Sequence, residues 1–215
     1  TGIDMNNVDN PMSLVYWLSR EQYGSAPLVY GPHFMADVDY DETGSPYKPG
    51  EMEYVKGDDK YIPIGRKNEV RYASEDMQLF PRVWDPSNDQ GHAQFYADWL
   101  NLERFSDPQT GQPRYEDPTY GDNFQWFFTY QLGFMYWRYF MWNFSGKQND
   151  IQGFGNKRDG NWITGIPVVD KQVLGDQEKL PDSIRNNKAH NELYLIPFLL
   201  GILGCVFQFI RNKKD

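Results

Sequence analysis

Asn123 to Phe144 reads NFQWFFTYQLGFMYWRYFMWNF, and Arg138 is its only charged residue. At about 3.6 residues per turn the stretch is long enough for six helical turns. Asp122 or Asn123 can cap its start, and Gly146-Lys147 can close its end. Apolar side chains cover almost its whole circumference, which signals full burial or membrane contact. The plain reading is a core or interface helix whose rings pack against the rest of the domain. The functional reading centres on Arg138, a cation in an aromatic field that needs an anionic partner. Asp150 is the nearest protein carboxylate in sequence, and a lipid-carried phosphate is the alternative.

Downstream, Gly146-Lys147-Gln148-Asn149-Asp150-Ile151-Gln152-Gly153 mixes planar amides with a carboxylate. Such groups bond sugar hydroxyls, and Trp and Tyr stack on sugar faces. The same mixture also suits a helix-ending loop held by side-chain to backbone bonds. The residues expected to contact a ligand are therefore Arg138, Trp142, Asn143, Gln148, Asn149 and Asp150. Residues 147–192 read otherwise as polar loop.

Further on, Leu193 to Ile210 reads LYLIPFLLGILGCVFQFI and carries no charge. A bilayer core needs about 20 predominantly apolar residues, so the run is expected to span a membrane, at the short end of the range. The competing reading is a buried core helix. Arg211, Lys213 and Lys214 follow, and by the positive-inside rule they place the C-terminus in the cytoplasm. Cys205, the single cysteine, reads as a small buried residue and allows no disulfide within the chain. Both ends of the chain read as cuts through something longer.

Upstream, Asn10-Pro11 reads as an N-cap with Pro at the first helical position, opening a short helix to about Gln22. Pro27 to Tyr30 reads as a buried strand stopped by Gly31-Pro32. Residues 36–50 read as an acidic loop. Glu51–Lys56 and Lys60–Ile64 flank Gly57-Asp58-Asp59, a hairpin signal, and Glu69–Ala73 reads as a third strand. Asp89–Glu103 has helical periodicity through Phe95, Tyr96, Trp99 and Leu100.

A net charge of -9 argues against a nucleic-acid partner, since phosphate neutralisation needs a basic face. Asp37, Asp39 and Asp41 alternate like the start of a calcium loop, but Glu42 and Lys48 stand where Gly and Glu are wanted, so a solvated loop is the better reading. His33, His92 and His190 lack metal-ligand spacing. Nucleophile-elbow, phosphate-loop and dinucleotide patterns are absent, so no cofactor is expected.

Longer runs carry a resemblance. Tyr16-Trp17-Leu18-Ser19-Arg20-Glu21-Gln22-Tyr23-Gly24, Pro27 to Pro32, Tyr130-Gln131, Met135 to Phe144, Gly146, Gln148 to Gly153, Asn161-Trp162, Gly165-Ile166, Leu180-Pro181 and Asn186-Asn187-Lys188 resemble blocks of a bacterial multi-spanning membrane family. That family was long catalogued as a domain of unknown function. It is related to the transmembrane protein O-mannosyltransferase and is similar to C-type glycosyltransferases.

The resemblance implies an inner-membrane enzyme that moves a sugar from a polyprenyl-phosphate donor to a hydroxyl of an exported protein acceptor. The soluble part would face the periplasm, and this chain would be an internal fragment. Trp84-Asp85 does not match the acidic motif of such enzymes, so no catalytic residue is carried over. The competing class is a non-catalytic, membrane-anchored periplasmic domain that binds glycan or protein. The expected fold is α+β: a mainly helical extracytoplasmic domain over 1–192 with a small β-hairpin or sheet, a transmembrane helix over 193–210, and a cytoplasmic stub over 211–215.

Overall fold

The computed structural model describes residues 8, 10–18, 26–85, 91–108, 111 and 113–211. The chain divides into two compact units, Thr1–Trp126 and Phe127–Asp215.

In the first unit, helix α1 covers Pro11–Leu18. Asn10 caps it, its Oδ1 accepting from the amides of Met12 and Ser13 at 3.0 Å each. The expected continuation to Gln22 lies outside the described residues. Strand β1 (Tyr30–Pro32) pairs antiparallel with β4 (Met77–Leu79). The hairpin forms around Gly57-Asp58-Asp59, but its strands are longer than the sequence suggests. They are β2 (Tyr47–Lys56) and β3 (Tyr61–Val70). Val70 pairs with Tyr47, so Glu69-Val70 extends β3 and does not start a third strand. Two bulges and the prolines Pro49 and Pro63 are tolerated because each strand has one free edge in this two-stranded ribbon.

Helix α2 (His92–Leu100) supplies the core of this unit. Ala93, Tyr96, Ala97 and Leu100 are its buried face, at the spacing a one-sided helix requires. Tyr96 stands edge-on to Phe34 and to Trp126, with centroids 5.3 and 4.8 Å apart. Strands β5 (Arg104–Ser106) and β6 (Pro113–Tyr115) form a further small ribbon.

The aromatic stretch is helical, as its periodicity-free apolarity predicts, but it starts earlier and winds differently. Helix α3 is Tyr120–Gln125, a π-helical segment runs Trp126–Trp137, and α4 is Arg138–Phe144. The cap is Thr119, not Asp122 or Asn123. Thr119 Oγ1 accepts from the Asp122 amide, and Asp122 Oδ2 accepts from the Thr119 amide, a reciprocal capping box. Asn123 is instead fully buried, its Oδ1 accepting from the Arg82 and Val83 amides while Nδ2 donates to Gln78 and to the Thr119 carbonyl.

In the second unit, α4 ends at Ser145 and the chain turns into β7 (Gly146–Lys147), which pairs with β8 (Asn191–Glu192). Gly146 has φ 145°, and a Cβ there would stand 2.6 Å from the Asn191 carbonyl oxygen and 2.9 Å from that of Ile163. Only glycine fits where three backbones converge. Helices α5 (Pro167–Leu174) and α6 (Asp182–Arg185) interrupt what the sequence presents as loop.

The expected transmembrane helix over 193–210 is corrected. Helix α7 runs Ile196–Arg211, 16 residues. At about 1.5 Å per residue that is about 24 Å, short of the ~30 Å hydrocarbon core. No helix among the described residues is long and apolar enough to cross a membrane. The physical reason is at its start. The Leu193 amide bonds the Ser145 carbonyl and the Tyr194 amide bonds that of Thr164, both at 2.9 Å, so these residues belong to the strand region. Tyr194 and Leu195 then take positive φ values of 52° and 59° before the helix begins. Lys213 and Lys214, two of the cations expected to mark the cytoplasmic end, lie outside the described residues. Cys205, expected to be buried, is exposed on α7.

Candidate functional site

Arg138 opens α4 and is 9% exposed. Its Nε donates to the Phe134 carbonyl at 2.9 Å and one terminal nitrogen donates to the Gly160 carbonyl at 2.8 Å. The guanidinium lies between two rings of its own helical run, 4.1 Å from the Phe134 centroid and 4.4 Å from that of Trp142. Spacings of four residues on either side put both rings on the face that carries the cation. Burial pulls the guanidinium below its ordinary pKa, opposed by Tyr130, whose phenol burial pushes up. No carboxylate among the described residues forms an ion pair with Arg138. Asp150, the sequence-nearest carboxylate, is exposed and accepts instead from Asn187 Nδ2 at 3.0 Å.

The loop that Arg138 grips is held by the amides that follow α4. Asn149 is fully buried, with Oδ1 accepting from the amides of Gly160 (2.8 Å) and Ile151 (3.1 Å) and Nδ2 donating to the Arg158 carbonyl. Gln148 is buried too, accepting from Asn161 Nδ2 at 2.9 Å and donating to the Lys157 carbonyl and to Gln177. Arg138 and Asn149 thus meet on the two sides of one residue, Gly160. Its φ is +64°, and an added Cβ would lie 2.5 Å from the Ile151 carbonyl oxygen.

Four of the six residues singled out from sequence therefore gather around this loop: Arg138, Trp142, Gln148 and Asn149. Asn143 and Asp150 do not join them. Asn143 is exposed and donates back to the Tyr139 carbonyl of its own helix. Sequence reasoning missed Lys147, whose Nζ lies 4.6 Å from the Trp142 ring centroid, so that ring meets two cations. It also missed Asp159, 3% exposed, which pairs through Oδ2 with Arg158 at 2.8 Å. Two buried polar atoms at the site make no hydrogen bond, Trp142 Nε1 and Asp159 Oδ1. The density of Gly and Asn between 153 and 161 was the available signal, since it marks a chain bent around side-chain to backbone bonds.

Chemically, the site offers a desolvated cation on an aromatic floor, with one indole donor unspent. That arrangement favours an anion over a neutral group at Arg138.

Residues 24–128 match a family described only as a family of unknown function (DUF8416). The match gives no link to the protein O-mannosyltransferases or to a membrane family, and it ends before Arg138. No curated protein matches the chain. No solved structure matches it either.

Proposed function

We propose that this chain is a segment of a bacterial glycosyltransferase similar to the transmembrane protein O-mannosyltransferase. The enzyme moves a sugar from a polyprenyl-phosphate donor to a hydroxyl of an exported protein, with this segment on the periplasmic side. The observation that carries the reading is Arg138. It is a buried cation with no carboxylate partner among the described residues, and it sits inside the run Met135 to Gly153 that holds much of the family likeness. Two carbonyls and two ring faces offset part of the cost of burying this charge but supply no counter-charge, which a phosphate oxygen would.

In this reading the acceptor oxygen attacks the anomeric carbon and passes its proton to a carboxylate elsewhere in the parent enzyme. The phosphate leaves with the bonding electron pair. Arg138 stabilises the charge that appears on the leaving phosphate, and Trp142 floors the site. Spanning segments of such a parent lie outside the described helices of this chain.

The test is transfer from defined polyprenyl-phosphate sugars by the full-length protein in vesicles. Arg138→Gln should lower transfer about tenfold or more, the loss of one charge-assisted bond in the transition state. Absence of transfer from every lipid-linked sugar sinks the enzyme reading. Full activity in a folded Arg138→Gln protein removes Arg138 from the phosphate.

A second reading is a non-catalytic glycan- or protein-binding domain. Tyr136 and Tyr139, 63% and 61% exposed, favour it, since exposed rings suit sugar faces or a partner surface. The excised chain should then keep glycan affinity, whereas a segment of a larger active site should lose it.

A further inference from the structure

The first unit contains a cleft that the reading above leaves unused. It measures about 590 Å³ and lies between the end of β3 and the ribbon of β1 and β4. Tyr30, Tyr72 and Trp84 are its rings. The core rings of this unit, Phe34, Tyr96 and Trp126, pack on one another. The three cleft rings make no ring–ring contact with any described residue. Tyr30 is exposed, Tyr72 and Trp84 are half-buried where they line the cleft, and the volume falls within the range of small-ligand sites.

Arg71 lines the same cleft. Its backbone is fixed, the amide donating to the Pro46 carbonyl at 2.8 Å and the carbonyl accepting from Asp39 at 3.0 Å. Its side chain is left without a polar partner among the described residues. Nε is buried with no hydrogen-bond partner, and the guanidinium makes no hydrogen bond or ion pair with a described residue. A guanidinium left in this state, beside unpaired rings, is a fork awaiting an oxyanion. Arg138, which also lacks a carboxylate partner among the described residues, belongs to the other unit.

The surrounding charge selects the anion. Asp41 is close enough to feel the charge of Arg71, and Asp41 and Glu42 line an open hollow on which Arg71 also borders. Lys48, the other cation of the cleft, is already paired with Glu69 at 3.7 Å. Arg71 forms no ion pair with a described residue, and the carboxylates nearby weigh more heavily against a dianion than against a monoanion. We propose that this cleft binds a carboxylate attached to a flat or apolar body, of the kind a peptide C-terminus or acidic side chain presents. Arg71 holds the carboxylate, and Tyr72 and Trp84 hold the body. Asn68 and Ser74, exposed at the cleft, are available for the ligand's amide groups.

The test uses the full chain and three probes measured by titration calorimetry: hippurate, its uncharged amide hippuramide, and phenyl phosphate. Hippurate should bind at least about tenfold more tightly than hippuramide, a difference of about 1.4 kcal/mol. The preference should shrink at high salt. Arg71→Gln should erase the preference, Arg71→Lys should keep part of it, and Trp84→Leu should weaken both hippurate and hippuramide. Equal binding of hippurate and hippuramide by the unaltered chain overturns the proposal without any variant, as does no binding of either. Tighter binding of phenyl phosphate overturns the choice of carboxylate. Unchanged hippurate binding by folded Arg71→Gln removes Arg71 from the site.

Discussion

Arg138 and Gly160 are held to one another by a single carbonyl, and that contact dictates what each position tolerates. Gly160→Ala puts a methyl into a left-handed backbone conformation and against the Ile151 carbonyl. It should destabilise the protein by about 2 kcal/mol or more, read as a lower denaturant midpoint. An unchanged midpoint would show that the loop is not locked as described. Asp41 offers a pH-dependent counterpart. Its carboxyl is held below the usual aspartate range first by the Thr43 hydroxyl at 2.6 Å, then by the Ser45 and Thr43 amides. A depressed folded-state pKa stabilises the protein above the ordinary aspartate pKa, and this contribution is lost as pH falls through the lowered folded value. Carboxyl NMR should find Asp41 titrating below free aspartate, and Thr43→Val should move it upward. Only Arg138 of this set was legible in the sequence, because a lone cation in an aromatic run stands out. Gly160 did not, since the need for glycine arises from residues that fold against it.

Among the elements, α2 was the most legible, because a helix buried on one face writes its core at intervals of three and four residues. The hairpin was legible at its turn but not at its length, since strand pairing is set by the partner and not by local propensity. The start of α3 was misplaced for an instructive reason. Asp122 satisfies the composition rule for a cap, yet it serves as the third helical residue of a capping box whose cap is Thr119. Thr119→Ala should cost about 1 kcal/mol in unfolding free energy, with Thr119→Ser close to neutral. A neutral alanine variant would mean that the tertiary bonds of Asn123 alone fix this helix start. Helix α7 shows the limit of hydropathy. Its sequence is apolar enough for a span, but backbone bonds from Leu193 and Tyr194 withdraw residues from it.

At the scale of the whole chain, the two units divide the functional content. The family match covers nearly all of the described first unit from Ala26 on, where the Arg71 cleft lies, whereas the Arg138 loop belongs wholly to the second. The sequence by itself determined the α+β class, the aromatic helix, the hairpin turn and the oddity of Arg138. Each of these follows from local propensity or from periodicity, which one stretch of chain carries alone. Only the tertiary structure decided that Gln148 and Asn149 spend their amides on the loop from Lys157 to Asn161, that Asp150 leaves Arg138 unpaired, and that α7 is too short to span. Those outcomes depend on hydrogen bonds between residues from 9 positions apart, as in Gln148 to Lys157, to 37 apart, as in Asn187 to Asp150, and further still for Leu193 to Ser145. The partner of a buried polar group is set by which backbones the fold brings within about 3 Å, and no local pattern encodes that.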